Sequence, residues 1–112
     1  MKKTNQTYII WIEAEAWVPG TWDPNDTDTD VLVTWEDGDR WVASFITYQH
    51  VKTVTERYKQ TGECLSGAYF WTSDMILVDE ATRQQIEEVI KDLIQTDYFE
   101  SVFKQCPKDE ES

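Results

Sequence analysis

The chain has 112 residues and a formal net charge of −12, from 22 acidic side chains against ten lysines and arginines. That length supports one domain with its own core, and so negative a field excludes nucleic acid and anionic membrane as direct partners. Residues 1–56 hold ten acids against four bases and residues 57–112 hold twelve against six, so the excess is a property of the whole chain and not of a tail.

Cys64, Cys106 and His50 are the only cysteines and the only histidine. They cannot supply a four-ligand Cys/His zinc site, and no metal or cofactor is expected. Unpaired thiols suit a cytoplasmic protein, although the spacing leaves a Cys64–Cys106 bridge open. Lys2 and Lys3 before the apolar run Tyr8–Ile12 imitate a signal peptide. Glu13 ends that run at five residues, short of the ~7–15 such a segment needs. No stretch reaches transmembrane length.

In chain order, residues 1–6 form a flexible polar end, matched by 107–112 after Pro107. Tyr8–Val18 alternates, with Ile10, Ile12, Ala14 and Ala16 on one side and Trp11, Glu13, Glu15 and Trp17 on the other. Period two predicts a strand with its aliphatic side on the core. Pro19-Gly20 closes it, and Gly20–Asp30 is an acidic loop carrying Asp23, Asp26, Asp28 and Asp30. Val31–Trp35 and Arg40–Tyr48 are rich in β-branched and aromatic residues around Asp37-Gly38, a hairpin signal. The expected register sets Trp35 opposite Trp41 and Val33 opposite Ala43, which gathers the large apolar groups on one face. The second face keeps Leu32, Val42 and Ile46, more apolar than a wet face usually is.

Val51, Val54 and Tyr58 predict a helix over His50–Thr61, stopped by Gly62. Ala68–Asp79 is the densest apolar segment; Tyr69–Val78 within it is the expected central strand, bulged at Ser73-Asp74, and its unbroken run Met75–Val78 predicts cover on both faces. Thr82-Arg83-Gln84-Gln85 is a capping-box pattern, and Ile86, Val89, Ile90, Leu93 and Ile94 complete an amphipathic stripe behind it. A short helix with Val102 and Phe103 follows Asp97. These elements predict a single α+β domain: a two-layer sandwich of a mostly antiparallel four- or five-stranded sheet with two or three helices packed on one face. The helices cover one side only, and a second copy of the chain is the expected cover for the other.

Chemistry is thinly supported. A Cys64–His50 dyad with an aspartate behind it is the best nucleophilic arrangement, but Cys64 has Glu63 beside it and no base to lower its pKa. Gly62–Gly67 has the glycine spacing of a phosphate loop with Ala68 and Tyr69 where Lys-Ser/Thr is required. Asp26, Asp28 and Asp30 match the start of an EF-hand loop, yet Val31 stands where its glycine belongs. Glu13 and Glu15 on one strand face would lie ~7 Å apart by strand rise, a separation used by inverting glycosidases. Six tryptophans are more than one small core absorbs, and tryptophan concentrates at binding hot spots.

No motif in the chain is specific enough to name a family. The reading these features favour is a small acidic, non-enzymatic protein-binding domain, inhibitor- or immunity-like, that engages a basic partner through Trp11, Glu13, Glu15, Trp17, Trp22, Asp23, Asp26, Asp28 and Asp30. The alternatives are a small-molecule or carbohydrate-binding module using Trp11 and Trp17, and a small hydrolase-like enzyme.

Overall fold

The computed structural model describes residues 6–107; of the two ends expected to be flexible, 1–5 and 108–112 lie outside the described residues. Five strands form one sheet. β1 (Tyr8–Ile12), β2 (Asp28–Trp35) and β3 (Arg40–Thr47) make an antiparallel meander, β4 (Met75–Val78) runs parallel to β3, and the two-residue β5 (Lys104–Gln105) pairs antiparallel with the start of β3. Four helical segments complete the element order: α1 (Tyr48–Thr61), α2 (Glu63–Gly67), α3 (Arg83–Gln95) and α4 (Phe99–Val102). The chain is therefore a two-layer α+β domain, with α3 and α4 packed on one face of the sheet.

Alternation explains which face is buried. Ile12, Val31, Val33, Trp35, Trp41, Ala43, Phe45 and Val78 point to one side and meet Ile86, Ile90 and Ile94 of α3 together with Phe99 and Phe103. Aromatic rings hold the far end of this core: Tyr8 lies edge-on to Trp35 at 4.9 Å, Trp35 edge-on to Phe99 at 5.4 Å, and Phe99 stacks on Phe103 at 4.5 Å. Such pairs add roughly 0.5–1.5 kcal/mol each beyond area burial. Thr82 caps α3 by accepting from Gln85 N, as the capping-box pattern predicts.

The hairpin keeps the expected face but not the expected register. Trp35 N donates to Asp39 O at 2.8 Å and Gly38 N donates to Trp35 O at 2.9 Å, closing a three-residue loop. Val33 thus faces Trp41 and Val31 faces Ala43. This is two residues tighter than predicted, and an even shift leaves every side chain on its side of the sheet. Asp39 N donating to the Asp37 carboxylate at 3.0 Å tightens the turn.

Two predicted strands need correction. β1 ends at Ile12, not Val18, and Glu13–Ala16 is a 3-10 turn. Met75–Val78 is not central: it pairs only with β3, and Met75 and Leu77 are 36% and 41% exposed. The apolar run is one-sided after all. β3 is the central strand, flanked by β2 on one side and by β4 and β5 end to end on the other. Tyr69 and Trp71, read as part of that strand, are exposed and outside it.

α1 starts at Tyr48, two residues before the predicted start, because Thr47 caps it by accepting from His50 N. It packs chiefly on the turn that follows it, and Val54 is buried outside the main core. The domain is accordingly long, 47 × 31 × 27 Å with a radius of gyration of 15.5 Å, where a compact chain of this length has roughly 13 Å. The return turn is left-handed: Cys64, Leu65 and Ser66 have φ of 49°, 54° and 59°. Each such non-glycine residue costs about 1–2 kcal/mol. Cys64 and Cys106 are both free thiols.

Candidate functional site

The predicted site residues fall on and around the segment Glu13–Asp30, and its geometry begins with Thr29. This buried hydroxyl accepts the amide of Ala14 at 2.9 Å, which draws the chain after Ile12 out of the strand, and Trp17 N closes the 3-10 turn on Ala14 O at 3.2 Å. With three residues per turn, side chains two apart diverge by about 240°. Glu13 accepts from Asp30 N at 3.2 Å, whereas Glu15 turns to Arg83. The carboxylate pair required by a glycosidase mechanism is therefore not assembled, because each member has a different partner.

Arg83, on the first turn of α3, ties three elements together. Its Nε and Nη2 donate to the two oxygens of Glu15 at 2.7 and 2.9 Å, Nη1 donates to Glu87 Oε2 at 2.8 Å, and Nη2 also donates to Ile10 O at 2.9 Å. The bidentate geometry is the stronger form of such a pair. The hydrogen bonds from Arg83 hold the Glu15 carboxyl below its ordinary pKa, and the two glutamates raise that of the guanidinium. β1 is an edge strand, so the bond to Ile10 O also occupies an outward-facing edge carbonyl. A cleft of about 430 Å³ between β1 and α3 is lined by Tyr8, Ile10, Arg83, Glu87 and Lys91.

Asp26 is the second node. His50 Nδ1 lies 2.7 Å from Asp26 Oδ1, and Thr53 Oγ1 donates to Asp26 Oδ2 at 2.8 Å. Below them, Thr47 Oγ1 accepts from both Thr27 N and His50 N at 3.1 Å. The hydrogen bond from His50 is the main cause of a lowered pKa at Asp26, while partial burial raises that of Asp28. An aspartate does sit behind His50, but Cys64 follows the far end of α1, roughly 20 Å away at 1.5 Å per residue. The Cys64–His50 dyad is not formed.

Trp17, Val18, Pro19 and Trp22 wall a third feature, a cleft of about 450 Å³ that also contacts Ala14 and Glu15. Trp17 and Trp22 pack on the margin of the core, so their rings are braced from behind. The loop beyond them is fixed by Asn25 N donating to Asp23 Oδ1 at 3.0 Å and by Ala81 N donating to Pro24 O at 2.7 Å. The second bond brings the exposed acids Asp79 and Glu80 next to the loop.

The nine predicted partner-binding residues therefore divide. Glu15, Trp17, Trp22 and Asp23 share the loop side. Asp26 turns toward α1. Trp11, Asp28 and Asp30 stand on the second face of the sheet, by the alternation that sends Ile12, Thr29 and Val31 inward, and Glu13 reaches across to that strand at Asp30 N. Sequence reasoning missed Arg83, two of whose partners, Glu15 and Ile10, lie 68 and 73 residues away; its local signals were an arginine where a helix start favours acids and the i, i+4 spacing to Glu87.

The chain matches no family model, no curated protein and no solved structure. Among the described residues no helix is long and apolar enough to cross a membrane.

Proposed function

We propose that this chain is a small, acidic, non-enzymatic protein-binding domain of the inhibitor or immunity type, acting in the cytoplasm on a basic surface of another protein. The observation that carries the reading is the cleft walled by Trp17 and Trp22, with Asp23, Asp79 and Glu80 exposed beside it. The nearest cation on this side, Arg83, is already matched by Glu15 and Glu87. Braced aromatic rings supply area at low entropic cost, and the uncompensated acids steer a cationic partner and contact its rim.

The test is kinetic. In a panel of basic proteins that includes nucleases, a true partner associates quickly at low salt and slows steeply between ~50 and ~500 mM salt. Asp23→Asn with Glu80→Gln slows association, and Trp22→Ala speeds dissociation. A salt-independent association rate, or no binding across the panel, overturns the proposal.

The same cleft favours a second reading, a small-molecule or carbohydrate site. Trp11 is not part of it, since that ring stands on the other face of the sheet; Trp22 takes its place beside Trp17. A ligand panel that quenches or shifts tryptophan fluorescence in the wild type but not in Trp17→Phe supports this reading, and an unchanged spectrum removes it.

A further inference from the structure

The cleft walled by Trp17 and Trp22 is selective in what it can hold. It is lined wholly from residues 14–22, and the chain has no lysine or arginine between Glu13 and Asp39. Its hydrogen-bonding side chains are spent within the protein. Both oxygens of Glu15 accept from Arg83, at 2.7 and 2.9 Å, and Thr21 Oγ donates to Val18 O at 2.6 Å. Trp22 Nε1 is buried with no hydrogen-bond partner among the described residues, so that side chain offers the cleft ring carbon and no donor. A sugar entering here loses water from its hydroxyls and finds few replacements, a cost that subtracts directly from affinity. A cation against an indole needs no such partner, because the ring quadrupole itself attracts the charge.

Charge and size narrow the choice further. Asp23, Asp79 and Glu80 stand exposed beside the cleft. Asp79 accepts from Glu80 N at 2.8 Å and Gln85 Nε2 at 3.2 Å, and Asp23 accepts from Asn25 N at 3.0 Å. These donors are neutral and leave both carboxylate charges in place. An apolar anchor gains nothing from such a rim, whereas a cationic one gains from the rings and the rim together. At about 450 Å³ the cleft lies toward the small end of the ~300–1,000 Å³ of ligand sites, in keeping with one long side chain. We infer that it receives an arginine of the partner protein, with the guanidinium against Trp17 and Trp22. Arginine suits it better than lysine. A planar guanidinium is weakly hydrated and stacks on aromatic rings, while an ammonium holds its water more strongly.

This inference rests on the proposed reading of a basic protein partner, but its test requires no partner. Nα-acetyl-arginine amide is titrated into the whole chain at constant ionic strength, with the lysine and the neutral citrulline analogues in parallel. NMR follows the indole N–H resonances, assigned with Trp17→Phe and Trp22→Phe. The Trp17 and Trp22 resonances move with the arginine amide, with a dissociation constant of ~1–50 mM for a single side chain, and that of Trp11 stays still. The citrulline amide binds at least ~10-fold more weakly because it lacks the cation, and the lysine amide at least ~3-fold more weakly. Asp23→Asn with Glu80→Gln, both at exposed sites, weakens the arginine amide about 2–3-fold and leaves the citrulline amide unchanged. Citrulline or lysine binding as well as arginine overturns the inference, as do shifts confined to other tryptophans or none at ~100 mM. If the arginine amide fails while a basic protein still binds with steep salt dependence, this inference falls and the reading of function stands. If the arginine amide binds and no basic protein does, the reading of function falls and the cleft keeps its ligand.

Discussion

Gly67→Ala is the sharpest test of how α1 is held. Gly67 has φ +87°, and a Cβ built on it falls 2.3 Å from the carbonyl oxygen of Thr55, where contacts under 3.0 Å are not sustained. The left-handed φ costs an alanine about 1 kcal/mol. The contact forces the turn and α1 apart by about 0.7 Å, and Thr55 O belongs to helix backbone with no rotamer to escape through, so overpacking adds about 1–3 kcal/mol. The total is about 2–4 kcal/mol, or a fall in Tm of roughly 10–15 °C at about 4 °C per kcal/mol. Gly62→Ala is the control: its φ is +86° and nothing lies within 4 Å of its Cβ, so it loses only the conformational part, about 1 kcal/mol. Urea unfolding followed by circular dichroism measures both. Tryptophan emission, dominated by the sheet and loop side, shows whether α1 and its turn come away before the core. If Gly67→Ala costs no more than Gly62→Ala, the close approach of turn and helix does not exist in solution and the reasoning fails.

Three further outcomes follow from the two ionic nodes. Arg83→Gln removes the bidentate pair and the bond to Ile10 O and costs about 1–2 kcal/mol after allowance for a side chain 40% exposed. Because Arg83 lowers the Glu15 pKa in the folded state, this stability is present above the ordinary value of 4.5 and is lost as pH falls through that region; a pH series of thermal unfolding shows the acid loss in the wild type and a flatter profile in the variant. Asp26→Asn lowers Tm by several degrees at neutral pH, since it weakens the acceptor for His50 and Thr53, and its difference from the wild type shrinks below pH ~4 as Asp26 protonates. Asp28→Asn acts in the opposite sense: burial raises the folded pKa of Asp28, so its ionisation works against folding as pH rises, and the variant is the more stable protein at pH 7.

The α3 stripe, the capping box, the Gly62 stop and the face shared by Val31, Val33, Trp35 and Trp41 were legible because each depends on residues within one or two turns of each other. Met75–Val78 was not. Four apolar residues in a row carry no periodicity, and the location of a strand in a sheet depends on pairings that local pattern does not encode. The alternation over Tyr8–Val18 misled for a related reason: Thr29, fifteen residues beyond Ala14, takes the Ala14 amide and ends the strand. Composition correctly marked the tryptophans as too many for the core: only Trp35 and Trp41 are buried. It could not say that Trp11 faces away from Trp17 and Trp22, because that separation is created by the 3-10 turn between them.

The charge itself is unevenly placed, which bears on the proposed function. From Glu13 to Asp39 the chain holds nine acids and no lysine or arginine, while α1 carries Lys52, Arg57 and Lys59 against Glu56 alone. Of those nine acids, Glu15 and Asp26 are matched by Arg83 and His50. What is left exposed to steer a cationic partner is Asp23 on the loop, with Asp79 and Glu80 beside it. The loop side, where Trp17 and Trp22 wall the cleft, therefore carries acids that can set the association rate of a basic partner.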